Sequence, residues 1–215
     1  MSKVIAIDGP SGAGKSTISK LIAKKLGFQF LDTGALYRAA ALHLTRRGIK
    51  PDSSDDEIIN ALKDVVIALN GERVFLNSED VSDSIRTTEA GHYASVFSAK
   101  KAVRDFLLQV QRDAARYSDI VAEGRDMTTV VFPDARKKFY LDASAEVRAK
   151  RRYNQLKEKG IEITMDEALK DVMERDERDS KRDIAPLRKA DDAVYIDTTH
   201  LSLNEVIKKI LQKIQ

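Results

Sequence analysis

Cysteine and tryptophan are absent from the 215 residues, and there are only three histidines and four prolines. Without cysteine there is no disulfide, no thiolate metal ligand and no cysteine nucleophile, a composition that fits a cytoplasmic enzyme. His43, His92 and His200 lie far apart with no ligand spacing, so a bound zinc is not expected. No run of eighteen apolar residues occurs, and the first residues lack the basic-then-apolar pattern of a leader. The expectation is a soluble, untargeted chain with no membrane partner. Internal repeats and low-complexity tracts are lacking too. Net charge is only +3, and Asp or Glu interrupts every basic run. Arginine gathers between Arg148 and Arg188, whereas Asp52 to Glu57 is acidic. That distribution suits a small anionic substrate better than nucleic acid, which wants a continuous basic stripe.

What is present is enough chain for one core with inserted pieces, and a monomer is expected. Five short apolar runs read as buried parallel strands: KVIAID (3–8), FQFLD (28–32), DIVAE (119–123), KKFYLD (137–142) and AVYID (193–197). Between and after them lie amphipathic helices. ISKLIAKKL sets Ile18, Leu21, Ile22 and Leu26 on one face and stops at Gly27. The last helix opens with a Ser202/Glu205 capping box and repeats Leu203, Val206, Ile207, Ile210, Leu211 and Ile214. Strands alternating with helices predict a three-layer α/β fold with its ligands at the carboxyl ends of the strands. Two regions break the alternation. Residues 51–99 contain VVIAL and RVFL around NGE (70–72), an Asn-Gly hairpin signal, and residues 151–173 read as a helical flap broken at Gly160.

Four stretches carry chemistry. GPSGAGKST, Gly9 to Thr17, fits the phosphate-loop spacing between an apolar strand and an amphipathic helix. Its glycines let backbone N–H groups curl around a phosphate at a helix N-terminus, Lys15 adds a mobile charge, and the Ser16 hydroxyl can ligate Mg²⁺. This implies a nucleoside triphosphate. In LDTGALYRA (31–39), Asp32 and Thr33 end the second strand, Gly34 is read as a tight turn, and Tyr37 and Arg38 are assigned to the first turn of the next helix. In EGRDMTTVVFPD (123–134), Glu123 sits where a carboxylate holds Mg²⁺ directly or through water, and Arg125 and Asp126 follow at the strand end. In DVMERDERDSKRDIAPL, Arg175, Asp179 and Arg182 are spaced i, i+4, i+7 and share one helical face, with Arg178 beside them. Arg148, Arg151 and Arg152 share another face, placed to neutralise a transferring phosphoryl group.

These blocks, together with EDVSDSIRT (79–87) and VRDFLLQVQR (103–112), resemble in content and order those of the bacterial-type cytidylate kinases, which are nucleoside monophosphate kinases. The resemblance spans essentially the whole chain. It implies a three-layer P-loop kinase fold over residues 1–215 with a five-stranded parallel sheet. It also implies an inserted monophosphate-binding domain over 35–105 with a small β hairpin or sheet, and a helical lid over 151–170. The implied substrates are ATP with Mg²⁺ as donor and CMP or dCMP as acceptor. Gly9, Pro10, Ser11, Gly12, Ala13, Gly14, Lys15, Ser16 and Thr17 would surround the donor phosphates. Thr33, Tyr37, Arg38, Ser95, Arg104, Arg125, Asp126, Arg175, Asp179 and Arg182 would contact the acceptor, with Ser95, Arg104 and Asp126 toward the cytosine. Thr33 stands where many relatives have Ser, and it keeps the hydroxyl. Arg151 and Arg152 match the lid arginines, and Lys15, Arg151, Arg152 and Arg182 would be the catalytic set. The competing readings are a kinase for guanylate or for a small metabolite such as shikimate, or a nucleotide-dependent switch that binds RNA.

Overall fold

The computed structural model describes residues 2–214. The chain opens on β1 (Val4–Asp8), passes through the phosphate loop into α1 (Lys15–Leu26), and returns along β2 (Gln29–Asp32) to α2 (Thr33–Arg46). A long excursion follows, with α3 (Asp55–Leu62), β3 (Ile67–Asn70), β4 (Arg73–Leu76), β5 (Glu79–Asp80), α4 (Thr88–Phe97) and α5 (Lys101–Ala114). The core resumes with β6 (Ile120–Gly124), β7 (Lys137–Asp142), α6 (Ala145–Glu158), α7 (Met165–Lys181), β8 (Val194–Asp197) and α8 (Leu203–Ile214). Among the described residues no helix is long and apolar enough to cross a membrane.

The five expected strands form one parallel sheet in the order β2-β6-β1-β7-β8. Strand alternation sorts the core into two layers. Ile5, Ile7, Val121, Phe139 and Leu141 pack under Ile18 and Ile22 of α1 and Val206, Ile207 and Ile210 of α8. Ala6, Leu31 and Ala122 face the opposite way, under Leu36, Ala39 and Ala40 of α2 and Val103 and Leu107 of α5. β1 is central: the chain leaves it for β2 on one side and later crosses from β6 past it to β7 on the other, so the carboxyl ends of β1 and β6 mark the switch point where α/β sheets open a crevice. The helix boundaries follow the sequence signals: Gly27 ends α1 in the left-handed region, and Ser202 and Glu205 bond each other's backbone N–H groups at the start of α8.

The excursion carries its own antiparallel sheet, β3-β4-β5. The hairpin signal at 70–72 is met with a shift of one residue. Asn70 pairs with Arg73, so Gly71 and Glu72 form the two-residue loop. Gly71 takes φ 61° while Glu72 does not take a positive φ, so glycine stands at the first central position, where a type II′ turn demands it. The acidic run near residue 55 has a local structural role. Ser54 and Glu57 form a capping box, and Asp55, Asp56 and Glu57 occupy the first turn of α3, where negative charge favours the helix dipole.

Two local expectations need correction. Asp32, extended at φ −81°, is the N-cap of α2 and accepts the Ala35 N–H at 2.8 Å, so the helix already includes Thr33 and Gly34. Gly34 therefore makes no tight turn, and Tyr37 and Arg38 lie in the second turn. At the other end of the chain, α7 stops at Lys181, and Arg182 is extended (φ −66°, ψ 142°) rather than part of the helical face with Arg175 and Asp179. The cause is the turn that follows: Ala185 takes φ 50°, the Leu187 N–H donates to the Asp179 carbonyl at 2.7 Å, and Arg182 Nε donates to the Ala185 carbonyl at 2.7 Å.

Candidate active site

The carboxyl ends of β1, β2 and β6 open into one cleft of about 1200 Å³. The phosphate loop forms its floor at one end. A Cβ on Gly12 would stand 2.9 Å from the Arg148 carbonyl oxygen, and the residue has φ 76°, so only glycine lets the loop lie this close against α6. Arg148 reinforces that contact. It donates to the carbonyls of Ser11 (3.0 Å) and Ala143 (2.8 Å) and pairs with Asp176 of α7, which itself accepts the Ser11 N–H at 2.9 Å. Arg148 is thus a buried strut under the loop.

Lys15 lies inside the loop and donates to the Pro10 carbonyl at 2.7 Å. Burial, with the Arg125 guanidinium next in effect, pulls its ammonium down to about 7. The Ser16 hydroxyl donates to Glu123 Oε1 at 2.6 Å. Glu123 pairs in register with Asp32 on the neighbouring strand. Burial and that second carboxylate together raise the Glu123 carboxyl above its usual range. Two carboxylates crowded beside a serine hydroxyl, one of them disfavoured as an anion, form a donor set suited to a hard divalent cation. The Thr33 hydroxyl donates to the Glu123 carbonyl at 2.7 Å, locking β2 to β6 at this point.

The other half of the cleft is lined by alternating charges. Arg125 Nε donates to Asp179 Oδ2 at 2.7 Å. Arg182 stands 3.8 Å from both Asp179 and Asp126, and Asp126 pairs with Arg104. The guanidinium of Arg104 lies 5.6 Å over the Tyr37 ring centroid, and burial pushes the Tyr37 phenol up to about 12. Arg104, Asp126, Asp179 and Arg182 are all nearly inaccessible to solvent. Such a row keeps each charge matched before any ligand arrives, and it aims donors and acceptors at fixed positions. Arg38 points toward Asp32 at 3.5 Å, and Ser95 of α4 completes the wall.

The structure brings the sequence-derived site residues into this cleft except Gly9 and Pro10, which do not line it, and Arg151 is turned another way. Arg152 and Arg175 share the carboxylate of Asp171, at 3.1 and 2.9 Å, and line the cleft. Arg151 instead reaches the turn after β8, donating to the Thr198 hydroxyl (3.1 Å) and carbonyl (2.9 Å). It is held at the rim beside Gly12, because Thr198 offers two acceptors on that side.

Three carboxylates that position the site escaped sequence reasoning. Asp8 accepts the Met127 and Thr128 N–H groups (2.9 and 2.7 Å) and the Thr128 hydroxyl (2.6 Å), fixing the turn that carries Arg125 and Asp126. That turn is a wide one, with the Phe132 N–H donating to the Met127 carbonyl five residues back, a geometry frequent at functional sites. Asp8 gave no signal of its own, since each of the five apolar runs ends in Asp or Glu. Asp171 and Asp176 were hidden among the many charges of α7.

The sequence model of the cytidylate kinase family matches residues 5–215. A cytidylate kinase of Thermodesulfovibrio yellowstonii is 58% identical over 100% of this chain and 98% of its own length. One from Geobacter sulfurreducens is 52% identical over 96% of this chain and 90% of its own length. Among solved structures, an uncharacterised protein from Eubacterium ventriosum superposes with a TM-score of 0.54 at 13% identity, covering 99% of this chain and 98% of that one. A gluconokinase from Sinorhizobium meliloti gives 0.50 at 16% identity, covering 99% and 91%. At those identities the likeness speaks to the fold alone, whereas the full-length sequence matches establish the relationship: the chain belongs to the cytidylate kinase family.

Proposed function

We propose that the protein transfers the γ-phosphoryl group of ATP to CMP or dCMP, acting as a monomer on a cytoplasmic nucleotide pool. One observation carries the reading: the phosphate loop and the Arg125, Asp126, Asp179, Arg182 row line opposite halves of a single cleft. Its volume, about 1200 Å³, suits two nucleotides end to end. The excursion over residues 35–105 is read as the monophosphate-binding domain and residues 151–170 as the lid.

The loop amides of residues 12–16 and the ammonium of Lys15 would hold the donor phosphates. Ser16 would hold Mg²⁺, with Glu123 and Asp32 beside it directly or through water, and the cation would supply charge neutralisation on the transferring group. Arg38, Arg125, Arg175 and Arg182 would grip the acceptor phosphate and aim its oxygen in line with the γ-phosphorus. Arg152 would add positive charge from the lid, where leaving Asp171 for a phosphate replaces one anionic partner with another. Arg151 supports the donor end through Thr198. Arg104 and Asp126 present a donor and an acceptor to the base edge, a pairing that matches the acceptor and amino groups of cytosine. No covalent intermediate is needed, since the attacking oxygen belongs to the acceptor itself.

A panel of nucleoside monophosphates with ATP and Mg²⁺ tests the assignment. Selective turnover of CMP and dCMP is expected. Selective turnover of GMP, or of none, would falsify it.

A further inference from the structure

Arg178 differs from the other arginines of α7. Arg175 and Arg182 line the cleft, but Arg178 does not. Among the described residues it pairs with no carboxylate, although Glu174, Asp176, Glu177 and Asp179 share its helix. Its Nε instead donates to the hydroxyl of Ser95 on α4, at 3.2 Å, from behind the cleft wall. Ser95 does line the cleft. Its hydroxyl accepts this bond and donates none among the described residues, while its carbonyl is taken by the Ser98 hydroxyl at 2.7 Å. A guanidinium aimed at the back of a serine therefore leaves the serine proton unspent at the ligand-facing side.

We propose that Arg178 is a positioning residue for base recognition, which commits the Ser95 hydroxyl to act as a hydrogen-bond donor toward the pyrimidine of the acceptor. The inference rests on the cytidylate reading and deepens it. A hydroxyl has one proton and two lone pairs, and alone it rotates to suit either kind of partner. A charge-assisted bond from Arg178 occupies one lone pair and turns the O–H dipole away from the cation, which is toward the cleft. The base atom that satisfies it is an acceptor. The acceptor that distinguishes the bases is the ring N3, free in cytosine, whereas uracil carries a proton there and would meet donor with donor; the carbonyl O2, common to both, would not tell them apart. Arg178 thereby links the helix that carries the acceptor arginines to the wall that reads the base, without touching the ligand.

Steady-state kinetics on the full chain test this with CMP, UMP and ATP. Arg178→Met keeps the apolar stem and removes the donor. It is expected to raise KM for CMP about tenfold, the scale of one hydrogen bond to a charged group, to leave KM for ATP within about twofold, and to narrow the preference for CMP over UMP. Ser95→Ala should do the same. The double variant should be no worse than Ser95→Ala alone, because both changes act through one hydroxyl. Arg178→Lys, which keeps a charged donor, should recover part of the loss. If Arg178→Met does not fold, Arg178→Gln enters the same cycle. An unchanged KM for CMP, additive single and double effects, or an equal loss for ATP would each overturn the inference and leave Arg178 as packing between α4 and α7. Absence of CMP turnover in the unaltered protein is a separate outcome: it overturns the functional reading, and this inference with it.

Discussion

Asp176 accepts the backbone N–H of Ser11 at 2.9 Å, a bond between residues 165 positions apart that ties α7 to the phosphate loop. The same carboxylate pairs with Arg148, whose guanidinium holds the Ser11 carbonyl. Both backbone groups of Ser11, its N–H and its carbonyl, are therefore gripped from the α6–α7 pair, so these two helices also set the shape of the cleft floor.

Asp176→Ala removes that grip and leaves the buried Arg148 charge without its anion. The expected result is a loss of about 3 kcal/mol in stability by denaturant unfolding. KM for ATP should rise more than KM for CMP, because the loop, and not the acceptor row, loses its support. A larger effect on CMP would show that Asp176 acts through Asp179 and Arg125 instead.

If the ammonium serves the transferring group as proposed, Lys15→Met should lower kcat about 10²- to 10³-fold while unfolding stays close to that of the unaltered chain. The proton on Lys15 gives a second readout. Burial holds it at about 7, so at pH 8 a large share of the ligand-free protein carries a neutral amine. An approaching triphosphate favours the ammonium and raises that value, so nucleotide binding at pH 8 should take up protons. Titration calorimetry in buffers of different ionisation enthalpy measures the uptake, which should vanish in Lys15→Met.

Asp126→Ala should cost kcat/KM for CMP about 10- to 100-fold, the scale of leaving a base-edge group and two guanidinium groups without their partner. KM for ATP should move less than threefold. The same variant should also be less stable by about 3–5 kcal/mol, because Arg104 and Arg182 are buried against this carboxylate. Equal kinetic effects on both substrates would assign Asp126 to the framework only.

Asp8 predicts a pH dependence of stability. Burial pushes its carboxyl up to about 6 against 3.8 for the ordinary group, so between those values the folded chain binds more protons than the unfolded one. Its contribution is therefore fully present below pH 3.8 and is lost as pH rises through 6, by about 3 kcal/mol. Asp8→Asn, which cannot ionise, should flatten this slope in denaturant unfolding measured from pH 4 to 7. The charged form is the one that holds three donors of the Met127–Thr128 turn, so the variant should also raise KM for the acceptor.

The sequence by itself determined the local elements and the donor half of the site. Strand runs, caps and the phosphate loop are written in neighbouring residues: Gly27 stops α1, Ser202 starts α8, and Gly12, Lys15 and Ser16 sit within five positions of one another. These features depend on backbone conformation and helix period, which short stretches encode. Tertiary structure alone decided which charges line the cleft and which hold one another or the backbone. Arg148 and Arg151 share a helical face with Arg152, but one became a strut under the loop and the other a clasp on Thr198. Arg182 left the helix of Arg175 and still returned to Asp126. A long guanidinium goes to whichever acceptor the packed fold brings within reach, and partners such as Ser11 and Asp176 are separated by most of the chain, so no local pattern could have paired them.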